Sequence, residues 1–266
     1  MSASRSLRSL LAEGRRLLGT FSIIPSADLI EIIALSGLDF VIIDMEHGPF
    51  GPETVRAGLM AARAHGLRVV VRVRTAEAAL VGAALDVGAD GVLVPQVGSA
   101  DAARAVVEAA RFAPEGARGA NPYVRAARYG ATADWFAAAN RDVAVMVMIE
   151  GTAGIAALPE ILQVPGLDGV FLGPVDMSHS LGVPGHIDHP SVRAALEEAA
   201  AAASARNMAT AVFAPDEAHA RTWWEAGIQL VACGVDAQLV RERLLRLAEG
   251  ACPPAVSGER LTAGGA

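Results

Sequence analysis

Short β-branched or apolar runs alternate with longer Ala- and Leu-rich stretches along most of this chain, the signature of repeated βα units around a parallel sheet. Eight runs read as strands: GTFSI (19–23), FVIID (40–44), VVVRV (69–73), GVLVP (91–95), VAVMVMIE (143–150), GVFLG (169–173), TAVF (210–213) and LVACG (230–234). Helical stretches lie between and after them, near 26–36, 51–65, 75–87, 99–110, 152–159, 191–206, 215–226 and 236–248. Ser26, Thr75, Ser99 and Asp236 stand where a helix cap is wanted. Eight such units in about 250 residues predict an α/β fold of the (β/α)8 TIM-barrel type, one domain over 1–266. The competitor, a doubly wound sheet, calls for a Gly-rich phosphate turn after the first strand, and GTFSIIPSAD has a single glycine. The stretch 111–142 is too long for a plain connection and is expected to carry its own short helix, with a hidden strand near Arg118–Ala120 as an option. The end, 250–266, reads as a disordered or loosely attached tail.

Composition narrows the function. The 266 residues are 53% hydrophobic and 19% charged with a formal net charge of −7, which excludes a disordered chain and makes nucleic acid an unsuitable partner. All 22 basic side chains are arginine, so no lysine is present to form an imine with a carbonyl substrate or to hold pyridoxal. Cys233 and Cys252 are too few for a disulfide framework or a thiolate metal site and fit a reducing, cytoplasmic setting. The leucines of MSASRSLRSLLAEGRRLLG are interrupted by charge, unlike a secretory signal, and no run approaches the roughly 18 apolar residues of a membrane helix.

In a barrel of this kind the site is assembled at the C-terminal ends of the strands, and reactive residues collect there. The second strand ends in Asp44-Met45-Glu46-His47-Gly48-Pro49, the third carries Arg72 and Arg74, and the fourth runs into Pro95-Gln96. The fifth ends at Glu150, the sixth runs into Gly173-Pro174-Val175-Asp176, and the eighth into Gly234-Val235-Asp236. Glu150 and Asp176 on adjacent strands would make a hard, oxygen-rich site suited to Mg2+ or Mn2+ rather than zinc. Taken singly, each also reads as an ordinary carboxylate at a helix N-terminus. Arg72 is a forked cation for a substrate carboxylate or a developing enolate, or alternatively an internal partner of those same carboxylates. Arg74 shares its face but lies at the loop edge. His47, of the six histidines the one at a strand exit beside an acidic cluster, is the acid/base candidate. His179, His186 and His189 gather in HSLGVPGHIDHP, a loop composition without fixed ligand geometry for a second metal.

From Gly19 to about Leu245 the chain resembles the HpcH/HpaI family of class II, metal-dependent pyruvate aldolases, which includes 4-hydroxy-2-oxoheptanedioate, 2-keto-3-deoxy-L-rhamnonate and 5-keto-4-deoxy-glucarate aldolases. The motifs that carry the resemblance are DMEHGP (44–49), VVRV (70–73), ALDVGADGVLVPQV (84–97), FAPEGARG (112–119), MIE (148–150) and GPVDMSHSLG (173–182). It implies a modified barrel of the phosphoenolpyruvate/pyruvate type, assembled as a homohexamer that is a dimer of trimers. It further implies Mg2+ or Mn2+, with Co2+ as a further option, held by Glu150 and Asp176. His47 would be the acid/base group paired with Asp86, Arg72 would contact pyruvate and its enolate, and Gly173-Pro174-Val175 would hold the pyruvate carboxylate. The implied reaction is reversible cleavage of a 4-hydroxy-2-oxoacid to pyruvate and an aldehyde, without membrane or nucleic acid.

Two positions depart from the family pattern: Met148 replaces a Gln found in some members, and Phe21 a Trp on the pocket wall, which bears on acceptor specificity. Two rival readings remain at this point. A citrate lyase β or malyl-CoA lyase type of thioester lyase would need a basic surface for the CoA phosphates, to which Arg125 and Arg128 would contribute. A non-catalytic barrel that binds an acidic metabolite or serves as an assembly partner would not need His47, Arg72, Glu150 and Asp176 together.

Overall fold

The computed structural model describes residues 5–251. Eight parallel strands pair in chain order and close on themselves: β1 (Leu17–Ser22), β2 (Phe40–Asp44), β3 (Arg68–Arg72), β4 (Gly91–Val94), β5 (Ala144–Ile149), β6 (Gly169–Leu172), β7 (Ala209–Ala214) and β8 (Leu230–Val235). The (β/α)8 expectation holds and the doubly wound alternative falls, because β8 hydrogen-bonds to β1 instead of leaving an edge.

The helices are α1 (Leu7–Ala12), α2 (Ala27–Leu35), α3 (Pro52–Ala64), α4 (Ala78–Asp86), α5 (Ala100–Ala110), α6 (Trp135–Asp142), α7 (Thr152–Ile161), α8 (Pro174–Ser180), α9 (Pro190–Ser204), α10 (Glu217–Glu225) and α11 (Asp236–Ala251). The short helix expected within 111–142 is α6, preceded by a 3-10 turn at Arg125–Gly130, and no strand forms at 118–120. Ser26 and Ser99 cap α2 and α5 by accepting from Leu29 N and Ala102 N. Thr75 does not cap α4, which starts at Ala78; its hydroxyl accepts from Glu77 N in a local turn ahead of the helix. Of the predicted tail, Gly250 and Ala251 belong to α11, and 252–266, with Cys252, lie outside the described residues. Among the described residues no helix is long and apolar enough to cross a membrane.

Period-two alternation sorts each strand into two buried faces. Val41 and Ile43, Val69 and Val71, and Val145 and Val147 point outward into the layer shared with the helices. Phe40 and Ile42, Val70, Met146 and Met148, and Phe171 fill the barrel interior. Burial on both faces is why these strands read as unbroken apolar runs. Gly19 lets the Phe40 ring into the interior, since a Cβ there would stand 2.5 Å from the Phe40 carbonyl oxygen and 2.6 Å from its ring.

The N-terminal end of the barrel is stoppered by α1, a helix that the alternation of strands and helices does not predict. Leu7, Leu10 and Leu11, at helical spacing, enter the interior cluster beside Leu17 and Leu230. Below them Asp168 collects the connections. It accepts from Arg8 Nε at 2.6 Å, Arg111 Nη2 at 2.7 Å and Val145 N at 2.8 Å. Arg111, fully buried, also donates to the carbonyls of Asn140, Val143 and Gly166. Asn140 in turn pairs through its side-chain amide with both backbone groups of Phe112, so the long stretch 111–142 is pinned at its two ends. At the other extreme α11 buries only Asp236 and leaves Leu239, Val240, Leu244, Leu245 and Leu247 exposed.

Removing Asp168 strands a buried guanidinium, so Asp168→Ala is expected to destabilise the fold by about 3–5 kcal/mol, read as a lowered urea midpoint with unchanged slope. A loss below about 1 kcal/mol would show that the network contributes little.

Candidate active site

The parity that fills the barrel also aims the chemistry. Asp44 follows Phe40 and Ile42, Arg72 follows Val70, and Glu150 follows Met146 and Met148 at steps of two, so all three belong to the inward face at the strands' C-terminal ends. Asp44 and Arg72 are register partners on β2 and β3. The Asp44 carboxylate, almost wholly buried, takes Arg72 in a two-pronged ion pair, Nε to Oδ1 at 2.9 Å and Nη2 to Oδ2 at 2.6 Å. The same Oδ1 accepts from the backbone N–H groups of Glu46 and His47, which folds the loop after β2 back over the strand end. Burial works against the Arg72 charge, but the bonds to Asp44 outweigh it and hold its pKa above the ordinary arginine value.

That loop delivers Glu46 and His47. Glu46 Oε2 lies 3.1 Å from Arg72 Nη1 and 3.9 Å from His47 Nε2, yet it is buried without a hydrogen bond of acceptable geometry. Burial raises the Glu46 pKa, with Arg72 and His47 pulling the other way. His47 has a side chain 67% exposed and stands at the rim.

Glu150 sits at the junction of β5 and α7, and its carboxylate accepts from the backbone N–H of Gln96 in a short hydrogen bond. Gln96 reaches that position with φ of 56°, the left-handed region that non-glycine residues rarely occupy. Its side-chain amide donates to Glu46 Oε1 at 3.3 Å. Burial, followed by the nearby charges of Asp176 and Glu46, pushes the Glu150 pKa up to about 7 against the pull of the Gln96 N–H and Arg72. Asp176, in the first turn of α8, is exposed toward the mouth. Gly173 is required by contact rather than by conformation: a Cβ there would stand 2.7 Å from Glu150 Cβ. Among the described residues no three His, Cys, Asp or Glu side chains are set to enclose a metal. The residues that are present nevertheless fit a hard divalent cation. Glu150 and Asp176 line one cavity, the Asp176 charge raises the cost of ionising Glu150, and an acceptor on Glu46 is left unbonded beside them.

Two cavities meet at the mouth and share His47 and Asp176. One, of about 340 Å3, reaches down to Arg72 between Phe21, Met148, Phe171, Gly173, Pro174 and Val175. The other, of about 310 Å3, is bounded by Glu46, Gln96 and Glu150. The expected residues His47, Arg72, Glu150, Asp176, Phe21 and Gly173-Pro174-Val175 thus come together. Asp86 does not join them. It ends α4, whose C-terminus leads into the start of β4, so it lies at the barrel end opposite His47, and its carboxylate holds Arg118 at 2.6 Å. The pairing of His47 with Asp86 is therefore not made within the chain, and Glu46 is the carboxylate beside His47 instead.

Arg72 is an ion-pair partner as well as a candidate cation, but of Asp44 and Glu46 rather than Glu150 and Asp176. Arg74 bonds the carbonyls of Met45 and Phe50 and so latches the loop carrying His47. Asp236, expected as a cap, turns its buried carboxylate to Ser22 Oγ, Ile23 N and Ile24 N and fixes the loop after β1. Arg125 donates to the Val87 carbonyl just past α4, away from the mouth. The three-histidine loop closes on itself, with His189 bonded to Ser191. The roles of Asp44 and Glu46 go beyond the sequence expectation. Both stand in the DMEHGP stretch, but only strand pairing reveals that Asp44 faces Arg72.

A model of the HpcH/HpaI aldolase/citrate lyase family matches residues 17–242. The hydroxypyruvate/pyruvate aldolase of Sagittula stellata is 36% identical over 238 residues, covering 90% of this chain and 94% of that protein. The 5-keto-4-deoxy-D-glucarate aldolase of Escherichia coli is 34% identical over 242 residues, covering 91% and 94%. The crystal structure of an HpcH/HpaI aldolase/citrate lyase family protein from Burkholderia cenocepacia is similar with a TM-score of 0.88 and 36% identity, over 92% of this chain and 99% of that one.

Two predictions follow from the acidic pocket. Because the folded Glu150 pKa is raised to about 7 from 4.5, its ionised form is disfavoured by the fold, and the cost is present above pH 7 and vanishes as pH falls toward the unfolded value. Mn2+ affinity measured by calorimetry is therefore expected to rise between pH 6 and 8, and Glu150→Gln to raise the thermal midpoint of the metal-free protein at pH 8 while weakening Mn2+ binding. Gly173→Ala, by pushing Glu150 aside, is expected to weaken Mn2+ binding by about tenfold or more with little change in circular dichroism.

Proposed function

The chain belongs to the HpcH/HpaI aldolase/citrate lyase family, an enzyme family whose similar members are aldolases, and from that premise we propose that it cleaves a 4-hydroxy-2-oxoacid reversibly to pyruvate and an aldehyde with the help of a divalent cation. The observation that carries this reading is the meeting of the Glu150 and Asp176 carboxylates with an Asp44-held Arg72 at one barrel mouth. A chain without lysine has no imine route to the pyruvate carbanion and must stabilise an enolate by charge. Mg2+ or Mn2+ held by Glu150 and Asp176 would supply Lewis-acid stabilisation of the developing negative charge.

Arg72 provides the second electrostatic element. Asp44 occupies Nε and one edge of Nη2, leaving N–H groups on the outer edge of the guanidinium to donate to the oxygen on which enolate charge grows. Because the pair is fixed before substrate arrives, little reorganisation accompanies the reaction. The backbone of Gly173-Pro174-Val175, opening α8, offers the pyruvate carboxylate a seat beside Asp176. In the cleavage direction His47 takes the proton of the 4-hydroxyl as the C3–C4 bond breaks, with Glu46 as the carboxylate next to its ring. The homo-oligomer implied by the resemblance would cover the apolar side chains that α11 leaves exposed.

The thioester-lyase alternative gains no support from Arg125, which is committed to Val87 at the other end of the barrel.

The direct test places metal-stripped protein with pyruvate in D2O and follows loss of the methyl proton signal by NMR as Mg2+ or Mn2+ is added. Metal-dependent exchange is expected, reduced at least about tenfold in Glu150→Ala and Asp176→Ala; exchange that persists in both would falsify the ligand assignment. His47→Ala is expected to slow aldol cleavage more than oxaloacetate decarboxylation, because the latter breaks a C–C bond without deprotonating a hydroxyl. Equal slowing of both would remove His47 from that role.

A further inference from the structure

We propose that Gln96 is a positioning residue of this mouth: from the exit of β4 it supplies the carboxamide that some members of the family carry at position 148 of β5, and with it keeps Glu46 facing the cation pocket instead of closing fully onto Arg72. The proposal deepens the function proposed above and rests on it for the roles of Arg72 and the cation. Placement is the first argument. Met148 belongs to the inward face of β5, its sulfur 3.8 Å from Arg72 Nη1, and the same nitrogen lies 3.1 Å from Glu46 Oε2. A carboxamide reaching the place of that sulfur would stand next to the Glu46 carboxylate, whereas a thioether has no N–H to give it. Gln96 approaches the same carboxylate from the neighbouring strand and donates its amide to Oε1 at 3.3 Å. Val94 is the register partner of Val147, and Val97 N donates to the Met148 carbonyl, so positions 96 and 148 address Glu46 across one pair of strands.

The backbone is the second argument. Gln96 holds a φ of 56°, which glycine would adopt without strain, so a long polar side chain kept there points to a use for its amide. Among the described residues lining the two cavities, it carries the one side-chain amide. Its two donors divide the acidic cluster: the backbone N–H holds Glu150 and the side chain holds Glu46, and both carboxylates border the 310 Å3 cavity. Without that amide Glu46 is left with Arg72, whose Nη1 its other oxygen already approaches. A carboxylate drawn onto Nη1 with both oxygens would take up the outer edge of the guanidinium, the edge that Asp44 leaves open. One hydrogen bond from Gln96 therefore serves two groups, retaining an acceptor in the cation pocket and an open donor for the substrate.

The experiment measures Mn2+ affinity by calorimetry without substrate, and methyl-proton exchange of pyruvate in D2O. It compares the wild-type protein, Gln96→Leu, and Gln96→Leu combined with Met148→Gln. Gln96→Leu is expected to weaken Mn2+ binding by about tenfold and to raise the pyruvate KM more than it lowers kcat, because Glu46 then engages Arg72. Adding Met148→Gln is expected to recover most of both losses, which a merely structural role for Gln96 would not allow. Should the leucine variant fail to fold, Gln96→Gly removes the amide while relieving the left-handed backbone, and the same losses and the same recovery are expected of it. Unchanged Mn2+ affinity and exchange kinetics overturn the inference, and so do losses that Met148→Gln leaves unrepaired. Wild-type protein that binds Mn2+ but exchanges no proton of pyruvate overturns the pyruvate reading, while the Mn2+ affinities of the variants still decide whether Gln96 holds the pocket. Wild-type protein that binds no Mn2+ overturns both.

Discussion

Asp44 ends β2 with its carboxylate almost wholly withdrawn from water, and a charge in that position has to be met by donors from every side. Arg72 on the neighbouring strand meets it with two nitrogens, and the N–H groups of Glu46 and His47 meet it from above. The pair thus orients the guanidinium, sets the path of the loop after β2, and through that loop places Glu46 against Arg72 and His47 at the rim. Breaking it would leave one buried ion without its counterion and free the loop at once, which is why no part of the mouth can be considered apart from it.

The two ends of the barrel divide the work that polar groups do. At the N-terminal end, Asp168, Arg111, Arg8 and Asn140 form a connected set that pins the long stretch 111–142, with Arg111 Nε left without a partner. At the C-terminal end the balance is left incomplete. Glu46 has an unbonded oxygen, Glu150 has its pKa pushed up to about 7 by burial and neighbouring charge, and Gln96 adopts a strained backbone conformation to reach it. Unsatisfied negative charge at the mouth is what would hold a divalent cation there, as proposed above.

Much of this was readable along the chain. All eight strands lie where the β-branched runs occur, with ends differing by a residue or two, because burial on both faces imposes apolar, β-branched runs. His47, Arg72, Glu150 and Asp176 were legible because polar residues at the exits of apolar strands have few reasons to be there. The stopper α1 carries its signal in Leu7, Leu10 and Leu11, yet a single short amphipathic turn is not separable by pattern from any surface helix. Asp86 was not legible from pattern: the resemblance implied its pairing with His47, and within the chain the direction of α4 carries it to the far end of the barrel, onto Arg118.

By itself, then, the sequence determined the repeated βα units, the absence of lysine chemistry and the inward parity of Asp44, Arg72 and Glu150, since these depend only on local periodicity and residue type. Tertiary structure alone decided which of those groups touch. Register pairs Asp44 with Arg72, strand order brings Glu150 beside Gln96 and Asp176, and barrel closure sets Phe21 against Phe171 and Phe213. Contacts between residues tens of positions apart arise from closing the sheet, and no local pattern encodes that closure.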